Sequence, residues 1–156
     1  MRRVTGLLAA MLALSGAAPP QLPAFAGTTV DGAALRVDPA AHRVVVIHYW
    51  ATWCVPCRVE MPLLDRIGHA HGVQIVGVAL DSGASRQKIR AAVTNVGFAL
   101  IRAGDTGIPA RAIPSALPET LVYGRDGRLR ARFGAGGRML DEAALDQLLP
   151  TLLAEK

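Results

Sequence analysis

A chain of 156 residues, 51% hydrophobic and 19% charged, is long enough for one domain with a continuous core and too short for two ordinary ones. That apolar content excludes a disordered protein. The formal net charge of +5 loses Arg2 and Arg3 to an N-terminal leader, and the other arginines are scattered apart from a short cluster at 125–132. This excludes the dense basic patch that a nucleic-acid site needs, and Tyr123 and Phe133 are the sole aromatic residues near that cluster. A monomer without a nucleic-acid partner is expected.

At the N-terminus, Arg2-Arg3, the apolar run Leu7–Leu14 and the small residues Ser15-Gly16-Ala17-Ala18 have the three-part layout of a secretory signal. Residues 1–18 are therefore expected to be a signal peptide, and residues 21–154 the domain. The apolar run is short for a bilayer core of roughly 30 Å, so retention as a membrane anchor is the weaker alternative. An extracytoplasmic, periplasmic location follows from the signal. Position 18 has no cysteine beside it to carry a lipid.

Beyond the signal, Pro23–Phe25 and Ala34–Val37 read as two short strands around an Asp31-Gly32 turn, an N-terminal hairpin. Arg43–Tyr49 is continuously apolar and β-branched, as befits a central strand covered on both faces. Val59, Leu63, Leu64 and Ile67 recur at helical spacing up to a stop at Gly68 or Gly72. Val73–Leu80 is a second buried strand, which completes a right-handed parallel βαβ unit. A helix capped by Ser85 is expected from Arg86 to Gly97. A short strand follows at Phe98–Ile101. Thr120–Tyr123 and Leu129–Phe133 flank Gly124-Arg125-Asp126-Gly127 as an antiparallel hairpin. A last helix runs from Asp141 to about Leu153, with Pro150 expected to kink it. The fold class is α/β: a central mixed sheet flanked by helices, with an N-terminal hairpin extension.

Cys54 and Cys57 are the sole cysteines, and they stand where the central strand gives way to a helix. At spacing i, i+3 on a first helical turn, two Cα atoms lie about 5–6 Å apart, within disulfide range. The helix start offers unpaired N–H groups and a partial positive charge that stabilise a thiolate. Cys54 is thus the expected attacking sulfur, and Cys57, one turn deeper, the resolving one. Pro56 removes a backbone donor and stiffens the turn.

Other uses of two cysteines fit less well. A structural bridge closing four residues constrains the unfolded chain little. A zinc site needs four ligands, and His42, His48, His69 and His71 stand at unsuitable spacings. A copper-carrying use of both thiols with one histidine stays open. Ala51 stands where a peroxiredoxin has its Thr, three residues before the reactive cysteine.

The segment Tyr49-Trp50-Ala51-Thr52-Trp53-Cys54-Val55-Pro56-Cys57-Arg58-Val59-Glu60-Met61-Pro62 closely resembles the active-site segment of the TlpA/ResA/CcmG branch of thioredoxin-like proteins. The likeness extends over most of residues 22–153. It implies a thioredoxin-like fold and a thiol–disulfide oxidoreductase whose redox group is the Cys54–Cys57 pair itself, without a separate cofactor or metal. It also implies reduction of cysteine pairs in exported apoproteins, with cytochrome c haem-site or copper-site cysteines as targets and a membrane thiol-electron donor as the source. The opposite direction, disulfide donation, uses the same motif.

Pro118-Glu119-Thr120 resembles the family's cis-proline hairpin, which implies a cis Leu117–Pro118 bond. By the same likeness Trp53, Pro56, Leu117, Pro118 and Glu119 are substrate-binding residues. Glu60 matches the acidic residue that tunes the cysteines in this branch; on a helix it is i+3 from Cys57 and is placed to relay that thiol's proton. Glu119 is a second candidate for that role. His48 stands where thioredoxin has a buried Asp and relatives often have Asn; a histidine titrating near neutral pH there would serve as the base for Cys57. Ile113-Pro114-Ser115-Ala116-Leu117 departs from the family's Gly-containing approach to the cis-proline.

Overall fold

The computed structural model describes residues 20–134 and 137–155; the signal segment assigned to residues 1–18 lies outside them. Strand β1 (Phe25–Thr28) pairs antiparallel with β2 (Ala34–Val37) in a separate two-stranded sheet. β1 begins two residues later than its sequence suggests, since Pro23 has no N–H to give to a ladder. Thr29 closes the turn, its hydroxyl accepting from Ala33 N at 3.0 Å.

Strand β3 (Val45–Trp50) is the middle of a five-stranded sheet, with every residue buried. On one side it pairs in parallel with β4 (Gln74–Ala79), which carries β5 (Ala99–Arg102). On the other it pairs antiparallel with β6 (Glu119–Tyr123), which carries β7 (Leu129–Gly134). The spatial order is β5-β4-β3-β6-β7. The expected mixed sheet and the expected hairpin are both present.

Alternation along the strands decides what each face packs against. Val45, Ile47 and Tyr49, with Leu121 and Tyr123, form one cluster with Leu22, Phe25 and Val37 of the hairpin side. Val46 and Val122 point the other way, to Leu64 and Ile67 of helix α1 (Val55–His71) and to Leu145, Leu149 and Leu152 of α3 (Glu142–Ala154). A third cluster joins Trp50, Ala51, Cys54, Cys57 and Met61 to Ile89 of α2 (Arg86–Ala91) and to Leu100.

Helix boundaries differ from the sequence reading in two places. α1 starts four residues before Val59, because Cys54 caps it and Pro56 is tolerated in a first turn where an N–H is unpaired anyway; it stops at Gly72, whose φ of 65° suits glycine. α2 ends at Ala91 instead of continuing to Gly97. Thr94 and Asn95 are weak helix formers, and Asn95 takes a left-handed φ of 56°. Asp141 caps α3 by accepting from Ala143 N, and the helix continues through Pro150.

Candidate active site

The cysteine pair sits at the carboxyl end of β3, where the chain turns into α1. Cys54 and Cys57 are joined in a disulfide with their Cα atoms 5.3 Å apart, as the helical spacing requires. Cys54 is the cap of α1, and its Sγ accepts from the N–H of Cys57 at 3.3 Å. A thiolate at this position therefore meets the amino end of a 17-residue helix. Cys57 is wholly buried, and Cys54 keeps 4% of its surface exposed, enough to mark it as the more accessible sulfur.

The turn before the pair is clamped by a residue not singled out from the sequence. Asp81, just past β4, accepts from Thr52 N at 2.9 Å and from the Thr52 hydroxyl at 2.5 Å. Leu80 N also donates to Trp50 O at 2.8 Å. An acidic residue immediately after a strand was the available signal. Around the pair, Trp53 (71% exposed), Val55 and Val59 leave an apolar rim open to solvent, and Pro56 is exposed beside them.

Beneath the pair lies His48, wholly buried on β3. Its Nδ1 is 2.9 Å from Thr120 Oγ1 and 3.9 Å from Glu60 Oε2, and Nε2 has no hydrogen-bond partner. Burial pulls the His48 pKa down to about 4, with the backbone of Cys57 opposing weakly. The expectation of a histidine titrating near neutral pH is thus corrected, because desolvation of the imidazolium outweighs every favourable contact. Burial pushes Glu60 the opposite way, up to about 7. The group poised near neutrality is the carboxyl on α1, not the imidazole.

The Leu117–Pro118 bond is cis. Leu117 is half-buried and packs on the cluster that contains both cysteines, and Pro118 is buried. Glu119 and Thr120, consecutive on β6, face opposite sides of the sheet. Thr120 reaches His48, whereas Glu119 turns to the hairpin side and pairs with Arg132 at 2.8 Å. Glu119 therefore does not join Glu60 beneath the cysteines. It lines a groove of about 510 Å³ with Arg111, Ile113, Ser115, Tyr123 and Arg132. Gly134 is opposite it on β7, where a Cβ would collide with the Pro118 carbonyl and the Glu119 carboxylate. Thr120, in the Pro118-Glu119-Thr120 motif, is a site residue that the motif alone does not single out; strand alternation from Glu119 is the signal that finds it.

Among the described residues no group of three or more His, Cys, Asp or Glu is placed to hold a metal ion. None of their helices is long and apolar enough to cross a membrane.

Comparison with known proteins gives a family match, curated relatives and solved structures. The family model described as Redoxin matches residues 17–145. The chain is 33% identical over 118 residues to the thiol:disulfide interchange protein DsbE of Pseudomonas fluorescens, covering 71% of this chain and 63% of that one. It is 26% identical over 114 residues to the thiol-disulfide oxidoreductase ResA of Bacillus thuringiensis, covering 70% and 65%. The chain spans less than two thirds of the length of the curated relatives it matches. A crystal structure of a secreted Mycobacterium tuberculosis disulfide oxidoreductase homologous to DsbE of Escherichia coli superposes with a TM-score of 0.67 at 22% identity, over 82% of this chain and 96% of that one. At that identity the likeness speaks for the fold.

Proposed function

The chain belongs to the Redoxin family, and we propose that it is a thiol–disulfide oxidoreductase of the DsbE/ResA type that reduces disulfides of exported apoproteins outside the cytoplasm. The observation that carries this reading is the Cys54–Cys57 pair at the start of α1, one sulfur capping the helix and the other one turn deeper and wholly buried. In the reduced protein the Cys54 thiolate attacks a substrate disulfide. A bond forms between Cys54 Sγ and one substrate sulfur, the substrate S–S bond breaks, and the other substrate sulfur leaves as a thiolate that takes a proton. Cys57, deprotonated, then attacks Cys54 Sγ; the Cys54–Cys57 bond forms and the second substrate thiol is released. Two electrons pass from the dithiol to the substrate.

Glu60 accepts the Cys57 proton in this scheme, since its carboxyl is half-buried one turn along α1 and titrates near neutrality. Trp53 and Pro56 form the exposed surface that receives the substrate, with half-buried Leu117 and buried Pro118 supporting it, and Glu119 contacts the substrate from the groove it lines with Arg111 and Arg132. The spent disulfide is returned to the dithiol by a membrane thiol-electron donor. Residues 1–18 act as the export signal, residues 21–154 are the working domain, and the protein acts as a monomer. Cysteine pairs awaiting haem or copper are the substrates this reading favours, as the resemblance of the Tyr49–Pro62 segment implies.

Trapping tests the reading. Cys57→Ser should strand a mixed disulfide on Cys54, and the captured chains should be exported proteins with cysteine pairs. Absence of any adduct would refute it. The equilibrium potential against glutathione decides the direction: a value below that of the surroundings means a reductant, a high one a disulfide donor. Tight Cu(I) binding by the reduced protein would instead favour a copper carrier.

A further inference from the structure

Thr120 stands directly across from His48 in the register of β3 and β6, and both side chains are wholly buried. Their 2.9 Å contact through Oγ1 and Nδ1 is the one side-chain hydrogen bond that either makes among the described residues. A hydroxyl carries one hydrogen, and a buried O–H left without an acceptor is costly. Nδ1 is the acceptor in reach, so the threonine donates and the imidazole accepts. A neutral imidazole that accepts at Nδ1 carries its proton on Nε2. Burial keeps the ring neutral, its pKa held at about 4. Nε2 is then a buried donor with no well-formed hydrogen bond, on a ring that has the backbone of Cys57 as a weak acceptor.

We infer that Thr120 is a positioning residue of the redox site, fixing His48 as a neutral Nε2–H donor whose acceptor is the Cys57 sulfur once the disulfide opens. This rests on the assignment of Cys57 as the resolving thiol made above. When a dithiol supplies two electrons, the Cys54–Cys57 bond breaks and Cys57 Sγ becomes a thiolate, an acceptor that the oxidised pair lacks. Nε2–H then exchanges its weak backbone contact for a charged acceptor and favours the thiolate over the thiol. His48 takes no proton itself, so the proton of Cys57 leaves through Glu60. The groups around the ring fit this division: α1 supplies Cys57 and Glu60, β4 places Gly77 at the same register, and β6 places Thr120 with Phe133 of β7 beyond it.

The test uses the reduced full chain and two readouts: the ¹⁵N resonances of the His48 ring, which report the protonated nitrogen, and the pH profile of the Cys57 ¹³Cβ resonance, which reports the thiolate without requiring the buried sulfur to react. Nε2 should carry the proton in the unmodified protein. Thr120→Val, nearly isosteric, should lower the thiolate population of Cys57 about tenfold at fixed pH, a rise of about one unit in its apparent pKa. Thr120→Ser should restore it. His48→Asn, which keeps an uncharged N–H donor, should stay closer to the unmodified protein than His48→Leu does, and this pair decides the matter should Thr120→Val fail to fold. A proton found on Nδ1, a Cys57 profile indifferent to Thr120→Val, or equal profiles for the two His48 variants would overturn the inference. Thiol titration needs no substrate, so a failure of Cys57→Ser trapping would strike the proposed function and leave this test readable.

Discussion

Oε2 of Glu60 lies 3.9 Å from Nδ1 of His48, and burial moves the two groups in opposite directions, the carboxyl up to about 7 and the imidazole down to about 4. Near neutrality the imidazole is uncharged and the carboxyl sits at its midpoint. Two ionisable groups in contact beneath a dithiol are thus divided into one that titrates and one that does not.

This division predicts opposite pH dependences of stability in the oxidised protein. Between about pH 4.5 and 7 folded Glu60 keeps a proton that the unfolded chain has released, so its contribution falls as pH rises. Between about pH 4 and 6.5 folded His48 stays unprotonated while the unfolded chain takes up a proton, so its contribution rises with pH. Relative to the unmodified protein, Glu60→Gln should therefore gain stability as pH climbs from 4.5 to 7. His48→Asn should lose relative stability from 4 to 6.5. Urea midpoints at half-unit pH intervals check both, and difference profiles of the same sign would refute the division.

How far this site was legible beforehand differs residue by residue. The cysteines are legible because their spacing at a strand–helix junction is a local property, and Glu60 and His48 because the Tyr49–Pro62 segment resembles the family's active site. Glu119 and Thr120 were harder, since the motif names both while only the pleat assigns one to each face of the sheet. Which of them meets His48 depends on the β3–β6 register, a long-range pairing that no local pattern encodes. The pKa of His48 was misread for a related reason: the residue type suggests a near-neutral switch, and only complete enclosure between α1 and the sheet removes it. The fold itself was plain in the buried run of β3 and in the turn between β6 and β7. The extent of α2 was not, because Val93 and Val96 remain core residues after the helix has ended.

The Glu119–Arg132 pair predicts a cost that appears only while the carboxylate is charged. Burial raises the pKa of Glu119, and the Arg132 guanidinium at 2.8 Å pulls it back. Arg132→Ala should cost about 1 kcal/mol at pH 8, a modest figure because Arg132 is more than half exposed to water. The penalty should shrink as pH falls and the carboxyl protonates. Adding Glu119→Gln should remove it at either pH. Thermal melts of both variants at pH 8 and pH 5 check this, and a loss independent of pH would show that the arginine acts through packing.

Asp81 predicts a loss of order in front of the cysteines. Three contacts from Thr52, two through N–H and one through the hydroxyl, converge on its carboxylate. Asp81→Ala should cost about 2 kcal/mol, in the range for hydrogen bonds to a charged group. Asp81→Asn, which keeps an acceptor, should lose less. Hydrogen exchange at the Thr52 and Cys54 amides should quicken in step, and unchanged protection there would mean that the turn holds without the clamp.

Trp53 separates binding from folding. Its ring is 71% exposed and stands next to the attacking sulfur, with Val55 and Val59 continuing the apolar rim. Stability gains little from a side chain left in water, so Trp53→Ala should change it by less than about 0.5 kcal/mol. A protein substrate buries that rim on docking, and loss of an aromatic anchor at the centre of such a contact costs on the order of a tenfold rate. A small reagent such as dithiothreitol touches only the sulfurs, so its reaction should slow much less. Stopped-flow tryptophan fluorescence from Trp50 would follow both reactions in the variant. Equal slowing with the small reagent and with a disulfide-bonded protein would place Trp53 in the chemistry of the thiolate, and not in the capture of the substrate chain.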